Sequence, residues 1–228
     1  MNEWISFFTG PALWASLAIF FFGSLLHVVR YVKNLDWQLD RVSYGRHLFF
    51  GIKGALRSVC FWMTPFATRS WRMKPVYTLM FYLFHVGGVV VPLFLSAHAV
   101  IIKSRWGITI PTLPDAVADF LTVGVLVGAL GMLCRRLMRP EVRRMTTCRE
   151  LGTLILAVAP FLTGFLAYHQ VGNASFWTLA HIISGEMLLV AIPFTRLSHM
   201  VFFFCSRIQI GMDFGIKRGG MKSVGMPV

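Results

Sequence analysis

The sequence predicts an all-α integral membrane protein. The expected architecture is a five-transmembrane-helix bundle with its N-terminus outside and its C-terminus in the cytoplasm, and an interfacial amphipathic helix in the first cytoplasmic connection. Hydrophobic residues make up 56% of the 228, and mean hydropathy is +0.67, too apolar for a soluble domain of this length. Five apolar runs reach spanning length, at residues 11–29, 76–102, 116–133, 151–168 and 176–204, within one membrane domain covering 1–228. The cations alternate between connections in a way that fixes an orientation.

That charge pattern also decides what the formal net charge of +13 means. Arg30, Lys33, Arg41, Arg46, Lys53, Arg57, Arg69, Arg72 and Lys74 fall in the first connection, residues 30–75. Arg135, Arg136, Arg139, Arg143, Arg144 and Arg149 fall in the third, and Arg207, Lys217, Arg218 and Lys222 in the tail. Lys103 and Arg105 alone flank the second, and the fourth has none. Cations concentrated in alternate connections follow the positive-inside rule and place the basic side in the cytoplasm. They do not indicate nucleic acid. Trp4, Trp106 and Trp177 then fall at the outer interface, with Trp37, Trp62 and Trp71 at the inner one, as aromatic belts do.

The first run lacks a basic n-region and a small-residue cleavage site, so it reads as a retained span. His27, at its inner end beside Arg30, reads as interfacial. In the first connection, Arg46, Lys53 and Arg57 share one helical face, while Leu48, Ile52, Leu56, Val59 and Met63 share another. This pattern suits a lipid-surface helix or a docking platform for a cytoplasmic partner. The third span has no histidine, and its Gly124 and Gly128 form a small-xxx-small pair suited to close packing. The fourth is bent by Pro160 and ends at His169. Cys60, Cys134, Cys148 and Cys205 form no CxxC or CxxCH motif and read as reduced thiols on the cytoplasmic half.

Chemistry concentrates in the histidines of the second and fifth spans. His181 and His199 stand eighteen residues apart. On one continuous helix that is about 27 Å along the axis with both side chains on one face, roughly the depth of a bilayer core. Gly185, one turn after His181, leaves room for a flat group against the backbone. The second span carries His85 and His98. Antiparallel packing brings His98 level with His181 at the outer side and His85 level with His199 at the inner side. Two bis-histidine b-type haems at two depths use all four residues. The thirteen residues between His85 and His98 rotate about 140° on an ideal helix, so Gly87, Gly88 and Pro92 are expected to distort it. His169 is the alternative to His98. Arg196, three residues before His199, is placed to pair with a haem propionate. Glu186 reads as a satisfied structural carboxylate, with proton handling near an outer quinone pocket as its functional alternative.

The fifth-span pattern, His181 and Gly185 followed by Pro193-Phe194-Thr195-Arg196-Leu197-Ser198-His199, resembles that of the respiratory nitrate reductase gamma subunit, a five-helix di-haem cytochrome b. The long basic first connection departs from that enzyme. It is more similar to the cytochrome b subunits (HmcE, TmcC, DsrM) of the transmembrane redox complexes of sulfate-reducing bacteria. The resemblance implies two haem b held by His85, His98, His181 and His199, in a multi-pass protein of the bacterial inner membrane. It also implies a cytoplasmic iron–sulfur partner, other membrane subunits and a periplasmic multihaem cytochrome c. Exchange with menaquinone is implied by the family, with Lys103 and Arg105 as weak candidates for a quinone carbonyl. The chain would then be an electron-transfer subunit of an anaerobic respiratory oxidoreductase. The rival reading is a cofactor-free membrane anchor that docks a soluble redox enzyme. A transporter is disfavoured, because the two halves show no pair of broken-helix repeats.

Overall fold

The computed structural model describes residues 2–35 and 44–220, so Trp37, Arg41 and Lys222 lie outside the described residues. Those residues hold eleven α-helices and no strand. They are α1 (Asn2–Phe7), α2 (Leu13–Lys33), α3 (Leu48–Met63), α4 (Arg69–Arg72), α5 (Pro75–Phe94), α6 (Ser96–Trp106), α7 (Asp115–Met138), α8 (Pro140–Met145), α9 (Cys148–Tyr168), α10 (Ala174–Phe194) and α11 (His199–Gly215). A π-turn, Phe8–Ala12, joins α1 to α2. Five helical stretches are long and apolar enough to cross a membrane: Glu3–Lys33, Pro75–Phe94, Asp115–Met138, Cys148–Tyr168 and Ala174–Phe194. Large apolar side chains such as Phe22, Phe120 and Ile155 are about two-thirds exposed, as expected of helices solvated by lipid. The chain is a multi-pass membrane protein.

Two expected spans are shorter than their hydropathy suggests. The second ends at Phe94, because Leu95 adopts an extended conformation (ψ 135°) three residues after Pro92, and a separate helix α6 follows. Proline supplies no N–H to the helix ladder, and its ring weakens the preceding turn. The fifth ends at Phe94's counterpart Phe194, one residue after Pro193. Thr195 is extended there, and its Oγ1 accepts the Leu197 N–H at 3.2 Å, which starts the 3-10 turn Arg196–Ser198 and then α11. His181 and His199 therefore do not share one continuous helix, and the separation of about 27 Å along a single axis does not apply.

The chain divides into two compact units. The first comprises residues 1–13 and 70–188. Here α5 and α7 pack antiparallel, since Gly131 and Gly128 meet Met80, Gly124 meets Leu83, and Gly87 meets Val125. A Cβ on Gly128 would lie 2.6 Å from the Met80 carbonyl oxygen, so the small-xxx-small pair does bring the two backbones together. α7 is the most buried span, with Val125, Ala118 and Ala129 in the core, and it also packs on α9. The start of α9 is fixed by a capping box: Thr147 N–H donates to Glu150 at 2.8 Å, and Glu150 also meets Arg136 at 3.8 Å.

The second unit comprises residues 14–69 and 189–228. Its centre is the α3–α11 pair. α3 is the amphipathic helix expected in the first connection, but the face it buries is neither the basic nor the leucine stripe. Gly51 and Ala55 are buried, and Gly54 lies directly against Gly211 and Gly215 of α11. Leu48, Ile52, Leu56 and Met63 stay about half exposed, as do apolar groups that meet lipid. Arg207 lies 4.7 Å over the Trp62 ring, and Tyr31 and Tyr44 donate to Gln209 and Asp213. Each of these contacts ties α11 to the N-terminal third of the chain.

Candidate functional site

The break after Pro92 puts His98 on a helix separate from that of His85, so the rotation calculated for one straight helix does not apply to it. His98 sits on α6, half-buried, with its ring parallel to that of His181 within 10° and the two centroids 5.9 Å apart. Two imidazoles binding one metal from opposite sides, at roughly 2.0 Å per metal–nitrogen bond, put their centroids roughly 6.3 Å apart. The observed centroid spacing is near that value, with the two rings stacked.

The hydrogen bonds assign the tautomers. His98 Nδ1–H donates to the Pro92 carbonyl at 2.9 Å, and His181 Nδ1–H donates to the Pro160 carbonyl at 2.8 Å. A carbonyl only accepts, so the proton is on Nδ1 and the lone pair is on Nε2 in both rings. This is the second-shell arrangement of metal-ligating histidines, in which the non-ligating nitrogen is held by a backbone carbonyl. His85 and His199 follow the same rule. His85 Nδ1–H donates to Phe81 at 2.8 Å, and His199 Nδ1–H donates to Arg196 at 2.8 Å.

His27 differs. It uses Nε2, donating to the Pro193 carbonyl at 2.6 Å, and it packs edge-on against Phe202. That carbonyl is left over where α10 ends, because Leu197 N–H bonds Thr195 instead. His27 is a helix-packing residue, where its place beside Arg30 had suggested an interfacial one. His169, the alternative to His98, turns Nε2 toward Asp119 at 3.2 Å, and His98 stands beside His181.

The socket for His181 is built on α9, and the sequence alone did not reveal it. Pro160 provides the carbonyl, and Gly164 provides the space: a Cβ there would lie 2.8 Å from His181 Nδ1. One turn below His181, a Cβ on Gly185 would meet nothing within 4 Å. The Gly185 position therefore opens on free space one helical turn from His181. Among the described residues no three His, Cys, Asp or Glu side chains come together as a metal-binding group. A metal held between His98 and His181 would bring its own equatorial ligands, and haem iron is such a metal. The donor set fits haem.

His85 belongs to the first unit and His199 to the second, so each is described within its own unit. Arg196, in the second unit, is exposed in the 3-10 turn and offers its carbonyl to His199. Comparison with known proteins adds one relative over the whole length. A protein of Nitratidesulfovibrio vulgaris (strain Hildenborough), carrying the bare name "Protein", is 52% identical over 215 residues, which is 94% of this chain and 95% of its own. The chain belongs to that protein's family. No family model matches the sequence.

Two expected residues stand differently from their sequence reading. Glu186 is buried at 8% exposure, and its Oε1 has no hydrogen-bond partner among the described residues, so one of its two oxygens is left unsatisfied there. Donors on neighbouring helices, which would satisfy such a carboxylate, cannot be read from its own span. Arg105 donates to the Thr9 carbonyl and thereby ties the end of α6 to the N-terminal segment. Lys103 is exposed on the same helix.

Proposed function

We propose that the chain is a di-haem cytochrome b subunit of a membrane-bound respiratory oxidoreductase. His98 with His181 would hold the outer haem, and His85 with His199 the inner one. The observation that carries the reading is the parallel His98–His181 pair, 5.9 Å apart, with both Nδ1 protons committed to proline carbonyls. When bound, the haems supply one-electron chemistry. The residues of this chain set the axial ligation, orient the imidazoles through the Nδ1 hydrogen bonds and keep the site within apolar surroundings, which tunes the potential.

In this reading the chain lies in the bacterial inner membrane with its basic connections in the cytoplasm, beside an iron–sulfur partner. Menaquinone or a periplasmic multihaem cytochrome c exchanges electrons at the outer side. Glu186, unpartnered in the same unit as the outer pair, supports a proton-handling role more than a structural one.

The test is a pyridine haemochrome assay and a reduced-minus-oxidised spectrum of the purified chain and of four histidine-to-alanine variants. The expected result is two b haems per wild-type chain, one lost together from the His98 and His181 variants and the other from the His85 and His199 variants. A colourless protein, with all four variants folded, would overturn the reading in favour of a cofactor-free anchor.

A further inference from the structure

We propose that the end of the α5–α7 pair carrying Lys74, Arg135 and Arg139 is a binding site for an anionic phospholipid. Because α5 and α7 run antiparallel, the start of α5 at Pro75 and the end of α7 at Met138 lie at one end of the first unit. Between them lies a cavity of about 670 Å³, within the range of small-molecule sites. Two chemistries line it.

Its wall is apolar and opens onto the lipid-facing surface. Val76 and Met138, both at the ends of membrane-spanning helices, are 66% and 77% exposed. Its rim is cationic: Lys74, Arg135 and Arg139 face one carboxylate, Glu141. None of the three cations has a carboxylate within 4 Å among the described residues. The ion pairs found there are Arg136–Glu150 and His169–Asp119. The Arg135 guanidinium is held 4.5 Å over the Tyr77 ring, which fixes its position while its N–H edges stay available. Tyr77 lies in the first turn of α5, whose positive dipole end points the same way.

A free anion satisfies the rim and leaves the wall against water or lipid. An uncharged lipid satisfies the wall and leaves three cations against a single carboxylate. A phosphodiester headgroup with attached acyl chains matches both parts at once, as basic pockets between membrane helices do. This site involves none of the four candidate ligand histidines, so it does not depend on the haem reading.

Native mass spectrometry of the delipidated full chain in neutral detergent tests it, with phosphatidylglycerol and with phosphatidylcholine of the same acyl chains. Wild type is expected to bind phosphatidylglycerol about tenfold more tightly, and millimolar inorganic phosphate is expected not to displace it. Arg135→Gln with Arg139→Gln should weaken binding roughly thirtyfold, whereas Arg143→Gln with Arg144→Gln on α8, an equal loss of charge, should change it less than about twofold. Should the first double variant fail to fold, Lys74→Gln replaces it with an expected loss of about fivefold. Equal losses from both double variants would mean general charge attraction and overturn the site. So would equal binding of the two lipids, displacement by phosphate, or an unchanged affinity for Lys74→Gln.

Discussion

Prolines and histidines in this chain work as pairs. Pro92, Pro160 and Pro193 each lie inside a helix, and the carbonyls of all three accept a histidine N–H, from His98, His181 and His27 respectively. For His98 and His181 the bond uses Nδ1 and leaves Nε2 for a ligand, while for His27 it uses Nε2 and so argues against ligation. Gly164 is the residue on which the His181 socket depends. Gly164→Val should push the His181 ring off the Pro160 carbonyl, cost about 1–3 kcal/mol and abolish the outer haem. Gly185→Leu should act differently, because a side chain there enters open space. Helix content should be unchanged while haem per chain falls, and full haem in Gly185→Leu would mean that no flat group lies at this position. His85, His98, His181, His199 and Gly185 stood out in the sequence as residues of two long apolar runs, although the breaks after Pro92 and Pro193 divide each run between two helices. The roles of Pro160 and Gly164 were not legible there, since they depend on a contact with another helix.

At the scale of elements, small residues decide which helices touch. The pair Gly124 and Gly128 could be read from spacing alone, and α5 meets α7 there. The pairing of α3 with α11 rests on the same four-residue spacing, in Gly211 and Gly215, but beyond the end of the expected fifth span at residue 204. The fifth span was expected to run to residue 204, whereas α10 ends at Phe194, where the Thr195 side chain captures the Leu197 N–H. Only after that break does Gly211 come to face α3. A Cβ on Gly211 would lie 2.6 Å from the Gly54 carbonyl oxygen and 2.7 Å from the Ala55 Cα, both backbone atoms with little freedom to yield. Gly211→Leu is therefore expected to separate α11 from α3 at a cost of about 3 kcal/mol. Hydrogen exchange over residues 199–215 should rise in that variant. Gly152→Ala on α9, where a Cβ meets nothing within 4 Å, should leave both exchange and midpoint unchanged. If Gly211→Leu kept wild-type protection, the α3–α11 crossing would not hold the second unit together.

For the molecule as a whole, orientation is the property that alternate basic connections predict and that thiols can report. Cys60, Cys134 and Cys148 are exposed, unpaired, and located in or beside the first and third connections, where the cations concentrate. With the N-terminus outside, all three face the cytoplasm. A membrane-impermeant maleimide should then label them in inside-out vesicles and leave them unlabelled in right-side-out vesicles. Cys205 on α11 should lag behind, because burial pushes its thiol above the ordinary range and the thiolate is the reactive form. The sign of that shift also gives a pH dependence: Cys205 labelling should rise with pH until its thiolate forms, and single-cysteine variants separate it from the other three. Labelling of Cys60 in right-side-out vesicles would invert the chain. The basic connections would then face outward, and the His98–His181 pair would lie on the cytoplasmic side.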